Sequence, residues 1–390
     1  MPENFVDVRS VMARYTLEEH AARADNYFAW MGDDASILKK PFNQIAEAVE
    51  SLQALSLILR FSELFPGARV MDFGAGTCWL SRDLALLGCD VTAVDVSAKA
   101  LALGRRHNER HPFAQDMRIS YEVFNGRDLP LPDAQFDNIV CFSSFHHVAD
   151  EPAVLAHFHR VLRPGGIVAF SEPGPQHSRQ PQSQQEMRQY GVIERDIDVH
   201  AIWRTASALG FADLRLIRYM PEPDLVSLDS FEAMLAGPVS VEFARPYTNV
   251  RPFLLYKAGE RAADSRMGRG LAGRIQATLA HQPDGGIRAS VRVTNTGTAR
   301  WLPSTQAWGG VCISSSLMDG DGIILDPHYA TWWVIGRELA SNESCDVEID
   351  IPAPPRPGLR LSLCFVADRV ARFEGADGAP YILPLDPMAP

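Results

Sequence analysis

Val70-Met71-Asp72-Phe73-Gly74-Ala75-Gly76-Thr77-Cys78-Trp79 is the stretch whose reading decides the fold. Arg69 to Phe73 makes a short apolar strand, and a helix follows through about Leu87. Between them a glycine pair lets the chain turn tightly and lets a ligand touch the backbone. A dinucleotide fingerprint wants a third small residue three positions after Gly76, but Trp79 stands there and would obstruct close packing of helix on strand. No Walker lysine follows, which excludes a P-loop. The acid two residues before Gly74 is Asp72. A carboxylate there suits a ligand carrying a cationic amine better than a pyrophosphate.

Working outward, strands and helices alternate. Strands are expected at Asp90 to Val94, Met117 to Val123, Phe136 to Phe142, Ile167 to Ser171, Leu214 to Arg218 and Phe253 to Tyr256. Helices are expected at Ala98 to Arg110, Glu151 to Leu162 (stopped by Pro164-Gly165-Gly166) and Ile197 to Leu209. Such βαβ alternation with buried strands means an α/β fold. Its sheet is doubly wound, seven-stranded and mostly parallel, with helices on both faces. Asp95 ends the second strand, 19 residues past Gly76, where a carboxylate can accept both hydroxyls of a ribose. The competing reading is that Asp95 caps the helix beginning at Ser97.

Before this core, residues 1–65 read as an N-terminal helical cap, with Ile45, Val49, Leu52, Leu55, Ile58, Leu59 and Phe61 at helical spacing. Tyr27, Trp30, Lys39 and Phe42 are candidates to close over a ligand. The α/β domain occupies residues 66–258, and a linker rich in Gly, Arg, Ala and Ser covers 259–271. Over 272–390 the helical period disappears. Ile275 to Leu279, Ile287 to Asn295, Gly309 to Ser316, Asp346 to Ile351 and Leu359 to Val366 alternate like strands between Gly- and Pro-rich turns. That spacing indicates a C-terminal antiparallel β-sandwich.

Composition narrows the function classes. With 390 residues, 46% hydrophobic and 22% charged, the chain is long enough for two or three globular domains. A formal net charge of -11 argues against nucleic acid as the main partner. None of the six cysteines forms a C-x-x-C pair, so no metal site is expected from them. Met1 to Ser10 has no signal-peptide core, and no apolar run approaches the roughly 18 residues of a membrane span. The cytoplasm is the default compartment.

The nucleotide-binding turn resembles motif I of the class I S-adenosylmethionine-dependent methyltransferases, of the type 11-like kind. Val91 to Ser97 is similar to their acidic second motif. Asn125-Gly126-Arg127-Asp128-Leu129-Pro130, with Asp133 and Phe136-Asp137-Asn138-Ile139-Val140, is similar to the third and fourth. Arg163-Pro164-Gly165-Gly166 resembles the turn before strand five. The likeness covers roughly residues 68–172 in order and spacing. It implies S-adenosylmethionine as cofactor, held by Asp72, Gly74, Ala75, Gly76, Thr77, Asp95, Val96, Asn125 and Gly126. Gly74 to Gly76 would pass the methionine end, Asp95 the ribose, and Asn125 and Gly126 the adenine. Asn125 departs from the Asp common in that family.

Methyl transfer from a sulfonium needs alignment of donor and acceptor, and at times removal of a proton. In open α/β sheets this happens beyond the carboxyl ends of the strands. Strand four ends in Ser143-Ser144-Phe145-His146-His147 and strand five in Ser171-Glu172-Pro173. His146, His147 and Glu172 are therefore the candidates for acid–base work. The alternative for His147, strengthened by the resemblance, is a structural role under the following helix. His177, Tyr190, Asp196 and His200 are candidates to bind the acceptor, with Asp196 equally a helix cap. Gln180 to Gln189 is polar enough for a lid or plain surface.

Val293-Thr294-Asn295-Thr296-Gly297-Thr298-Ala299-Arg300-Trp301 resembles the N-T-G-x-x-x-W turn of immunoglobulin-like domains, modules that accompany enzymes of bacterial surface polysaccharides. Trp301, Trp308, Tyr329, Trp332 and Trp333 either fill that sandwich or bind sugar. The expected function is methyl transfer to an oxygen or nitrogen of a small molecule or glycan, with a role in surface polysaccharide biosynthesis. A homo-oligomer is left open. The rival is a catalytically silent cofactor-fold protein whose sandwich docks a glycan or protein.

Overall fold

The computed structural model describes residues 5–31, 35–217, 250–283, 285–330, 332–373 and 380–385. The chain divides into two compact units: Met1–Leu64 with Ala68–Glu260, and Phe65–Gly67 with Arg261–Pro390.

The first unit opens with helices α1 (Val8–Arg14), α2 (Leu17–Met31), α3 (Ala35–Leu38) and α4 (Ile45–Phe61). The apolar stripe of α4 is only partly used. Leu55 and Ile58 are buried, whereas Ile45 is 87%, Val49 52%, Leu52 43% and Phe61 40% exposed. The side chain of Trp30 lies outside the described residues.

The sheet is built from β1 (Arg69–Phe73), β2 (Asp90–Asp95), β3 (Arg118–Val123), β4 (Phe136–Phe142), β5 (Leu162–Pro173), β6 (Phe211–Leu216) and β7 (Val250–Lys257). Its order is β3-β2-β1-β4-β5-β7-β6. Strands β1 to β5 run parallel, and β7 is antiparallel to both β5 and β6. The helices α5 (Trp79–Leu86), α6 (Ala98–Asn108), α7 (Glu151–Val161), α8 (Pro181–Tyr190) and α9 (Val199–Ala208) complete it. The core holds Met71, Phe73, Ile139, Phe145, Phe158, Phe170 and Phe253, all nearly or fully buried. The chain thus has the doubly wound, mostly parallel seven-stranded sheet expected of it. The order reverses at β1/β4, and that switch point opens a crevice at the carboxyl ends of these strands.

Two local expectations differ. Strand five begins at Leu162 and includes the Pro164-Gly165-Gly166 segment, with a register irregularity against β4. Helix α9 is capped by Asp198, whose side chain accepts from His200 N and Ala201 N. Asp196 instead accepts from Ser178 N at 2.7 Å. The polar stretch expected as lid or surface is helix α8, tied down by Gln184, which bonds Val6 and Ser178.

The second unit contains β8 (Gly273–His281), β9 (Ile287–Asn295), β10 (Leu302–Pro303), β11 (Gly310–Met318), β12 (Ile324–Asp326), β13 (Trp333–Val334), β14 (Ser344–Ile351), β15 (Arg360–Ala367), β16 (Ala371–Phe373) and β17 (Tyr381–Pro384). Strands β14-β9-β8 make one antiparallel sheet and the rest another, mostly antiparallel, around β11 and β15. One apolar core draws on both, from Ile275, Val291 and Val293 to Val311, Leu363 and Phe365. Asn295 locks the turn before Trp301: its Nδ2 donates to the carbonyls of Ala299 and Leu339, and its Oδ1 accepts from Gly297 N. Trp301 is fully buried and Trp333 nearly so. The stretch expected as a linker belongs to this unit. Its Ser265 is fully buried and donates to Gly309 O at 2.6 Å.

Candidate cofactor and acceptor site

The turn after β1 is braced by backbone. Gly74 N and Ala75 N both donate to Val94 O, at 2.8 and 3.0 Å. Gly74 has a φ of 73°, and a Cβ there would come within 2.3 Å of Ser144 Cβ. Ser144 Oγ in turn donates to Phe73 O at 2.7 Å, so the glycine lets the tips of β1 and β4 touch. Close packing of helix on turn, which Trp79 seemed to forbid, comes from another element. Gly104 of α6 lies where a Cβ would approach Thr77 O to 2.5 Å, while Trp79 packs edge-on against Phe142.

Over this turn lies a cavity of about 300 Å³. Its floor comes from the strand tips: Phe73, Gly74, Gly76, Thr77, Asp95, Val96, Phe124, Gly126, Ser144 and His147. Its roof comes from the N-terminal helices, with Leu17, His20, Ala21, Ala24, Tyr27, Phe28, Ile37 and Lys40, and a side wall from Val148, Glu186, Val192 and Ile193.

Asp95 is set to hold a ribose. Its Oδ2 accepts from Gly76 N at 2.7 Å and its Oδ1 from Ser97 N at 2.8 Å. These bonds fix the carboxylate and leave further lone pairs for ligand hydroxyls. The helix cap is Ser97, which accepts from Ala100 N. Burial pushes the Asp95 carboxyl above its ordinary range. The cavity, the backbone turn and this half-used carboxylate together fit a nucleoside-bearing ligand.

Asp72 is placed differently from its expected role. It does not line the cavity; it is 2% exposed and accepts from Ser81 Oγ at 2.6 Å. Burial pushes it up to about 7. The folded chain therefore takes up a proton between the ordinary Asp range and about 7 that the unfolded chain does not, and stability falls as pH rises through that window. Asp72→Asn should remove this slope. We expect the stability difference between about pH 5 and pH 8, measured by urea unfolding, to shrink by roughly 3 kcal/mol; an unchanged slope would place the titration elsewhere. Ala75 and Asn125 also stay out of the cavity. Asn125 Oδ1 accepts from Arg127 N and Asp128 N, which shapes the loop that presents Gly126.

The candidate acid–base residues fall into two groups. Glu172 is fully buried. It accepts from Ser144 N at 3.0 Å, Phe145 N at 2.9 Å, His146 N at 3.3 Å and His146 Nδ1 at 2.8 Å. Burial pushes its carboxyl up, against the pull of those backbone donors. His146 is 4% exposed, and burial presses it well below the usual imidazole range, so it is neutral near pH 7. Neither residue lines the cavity: they hold the β4 tip. His147 does line it, and its Nδ1 lies 2.5 Å from Ile193 O.

Of the residues expected to meet the acceptor, none lines the cavity. His177 Nε2 bonds Glu194 Oε2 at 2.8 Å. Tyr190 packs edge-on against Tyr27 and so backs the wall. His200 is exposed in the first turn of α9. Lys40 lines the cavity, not Lys39, and Phe42 is 67% exposed. Glu194 escaped the sequence reading. It is 3% exposed, 3.4 Å from His147 Nδ1 and 3.7 Å from His146 Nε2. Burial pushes it up, but His147 and the bond from His177 draw it down to about 2.

Residues 71–170 match the methyltransferase domain family. The chain is 30% identical over 158 residues to a demethylmenaquinone methyltransferase of Tropheryma whipplei, covering 36% of this chain and 62% of that one. It is 35% identical over 116 residues to a malonyl-[acyl-carrier protein] O-methyltransferase of Serratia marcescens, covering 29% and 42%. The chain thus spans less than two thirds of the curated relatives it matches. Among solved structures, the phosphoethanolamine N-methyltransferase 2 of Haemonchus contortus in complex with S-adenosyl-L-methionine is similar over 67% of this chain and 62% of that chain, at 20% identity and TM-score 0.41. The chain therefore carries a methyltransferase domain of the class I, S-adenosylmethionine-dependent family.

Proposed function

We propose that the chain is an S-adenosylmethionine-dependent enzyme that methylates an oxygen or nitrogen of a small, largely apolar molecule. The observation that carries this is the cavity in which Gly76, Asp95 and Gly126 face the same space as His147. Bound S-adenosylmethionine supplies an already activated methyl group. The chain's own tasks are then to hold, align, exclude water and take a proton. Asp95 would hold the ribose, the Gly74 to Thr77 backbone the methionine end, and Gly126 the adenine face. Leu17, Ala21, Ala24, Val192 and Ile193 exclude water from the reacting atoms. His147 is placed to receive a proton from the acceptor. The printed name of one relative, malonyl-[acyl-carrier protein] O-methyltransferase, favours oxygen; that of the demethylmenaquinone methyltransferase names no atom.

The test is calorimetry with S-adenosylmethionine and S-adenosylhomocysteine. A functional site binds both; a silent one, the rival reading, binds neither. Asp95→Ala should weaken binding by about 1.5–3 kcal/mol, the worth of hydrogen bonds to a charged group, with unchanged secondary structure. An unaltered dissociation constant would remove Asp95 from the site.

A glycan acceptor has less support. It rests on the aromatics of the second unit, of which Trp301 and Trp333 are core residues, Tyr329 Oη donates to the carbonyls of Pro352 and Ala353, and Trp332 is 42% exposed. We propose the cytoplasm as the compartment; among the described residues no helix is long and apolar enough to cross a membrane. We further expect a chain ending at Gly259 to stay soluble and bind S-adenosylhomocysteine, because the second unit has its own core. Aggregation of that fragment would show that the units do not fold separately.

A further inference from the structure

We propose that His146, His147 and Glu194 form a binding site for a divalent transition-metal ion, with zinc the best-suited ion. Each offers one donor atom, and these atoms all lie within 4.8 Å of one another. They come from the single 3₁₀ turn Phe145–His147 after β4 and from the extended segment between α8 and α9, so the site is assembled by the fold and not by a local motif.

The hydrogen bonds say which atoms are free. His146 Nδ1 faces the Glu172 carboxylate at 2.8 Å, so it carries the proton and Nε2 keeps the lone pair. His147 Nδ1 faces Ile193 O at 2.5 Å; a carbonyl only accepts, so again Nε2 keeps the lone pair. Glu194 has one oxygen occupied by His177 Nε2, while its buried Oε1 has no hydrogen-bond partner. The His146 lone pair and a buried carboxylate oxygen thus meet beside the His147 ring, whose Nδ1 lies 3.4 Å from Glu194 Oε1. A carboxylate oxygen buried without a hydrogen-bond partner is unfavourable unless a cation sits there.

The surroundings match what metal sites need. Metal-bound histidines almost always donate their other N–H to a carboxylate or a backbone carbonyl, and here one does each. Two imidazoles and one carboxylate, with positions left for water or a ligand, make a set that zinc and ferrous iron both accept. Donors at about 2.0–2.2 Å from a zinc ion stand roughly 3–4 Å apart; His146 Nε2 lies 3.7 Å from the Glu194 carboxylate, measured to Oε2, the oxygen that His177 also bonds. The expectation of no metal rested on cysteine spacing, which does not bear on a His–His–Glu set.

The site stands independently of methyl transfer. His147 also lines the cavity, however, so an ion here would sit at its wall and acidify an oxygen bound to it. It would then take over the proton-accepting role given above to His147. Loss of turnover on replacing His147 follows from either account, and only metal binding separates them.

The experiment uses the untagged full chain, stripped with a chelator and titrated with Zn²⁺ alone by calorimetry, with Co²⁺ as an absorbing substitute. We expect one ion per chain, reversed by chelator. Glu194→Gln and His147→Gln should each weaken it at least about 100-fold, and Glu172→Gln, which removes the orienting carboxylate, about 10- to 100-fold. Far-ultraviolet circular dichroism serves as the folding control. If Glu194→Gln does not fold, His147→Gln decides, because its side chain is 43% exposed. Absence of stoichiometric Zn²⁺ binding in the unmodified chain overturns the proposal. So does binding that His147→Gln leaves unchanged.

Discussion

Replacing Glu172 by Ala is expected to lower the unfolding free energy by about 3–5 kcal/mol, the range for removing one partner of a buried charge-assisted network. The carboxylate is fully buried and gathers the backbone N–H groups of Ser144, Phe145 and His146 together with His146 Nδ1. Alanine would leave these donors without acceptors in a space too small for easy rehydration, and each orphaned donor costs about 1–3 kcal/mol. Glu172→Gln keeps one acceptor oxygen, and that oxygen can still serve two of the three N–H groups. It should cost less, about 1–3 kcal/mol. Chemical unfolding of both variants checks the order. Because Ser144 supports the Gly74 turn, Glu172→Ala should also weaken binding of S-adenosylhomocysteine. A variant as stable as the parent chain, inactive only in turnover, would return Glu172 to the role of a proton acceptor that its place at a strand tip first suggested.

How far the sequence alone reveals this protein depends on how local the signal is. The parallel strands were legible because both faces are covered, so β4 runs apolar except at Asp137 and Asn138, whose side chains are bonded to Arg69 N and to Ser62 O. The turn after β1 was legible because its glycines are consecutive with a strand end. Gly104 was not. Its role is to let α6 approach Thr77, a contact between elements that no pattern within α6 announces.

The candidate site divides in the same way. Gly76, Thr77, Asp95, Val96 and Gly126 line the cavity; Gly76 and Asp95 were legible from spacing, and the other three from the resemblance to the methyltransferase motifs. Asp72 and Glu172 have the right side chains at the right tips, but each points into the core, where Ser81 or the β4 backbone occupies it. Spacing places a residue near a strand tip, but not the hydrogen bonds that occupy its side chain there. The roof was read coarsely as a helical cap, and the choice of Lys39 over Lys40 shows the limit: both lie in the turn after α3, where no period says which neighbour faces inward. Glu194 lies in an extended segment with no period at all, and it becomes visible only when α8 carries it back to the histidines.

Replacing His147 by Gln or Ala is expected to reduce turnover about 10²- to 10⁴-fold while leaving cofactor affinity and stability nearly unchanged. His147 is the candidate base that reaches the cavity, and its side chain is 43% exposed, so little packing is lost with it. His146 offers the contrast. It is 4% exposed and spans Glu172 and Glu194, so His146→Ala should lower melting temperature, cofactor binding and turnover together. The comparison needs single-turnover rates with an acceptor found by screening oxygen and nitrogen nucleophiles, alongside melting curves of the two variants. A fall in turnover confined to His147 variants supports proton removal at the cavity wall. Equal loss of stability in both would make His147 a structural residue, as the Ile193 contact alone would have it. Near-parental turnover in His147→Ala would mean that alignment drives the reaction, since an acceptor already ionised at neutral pH needs no base.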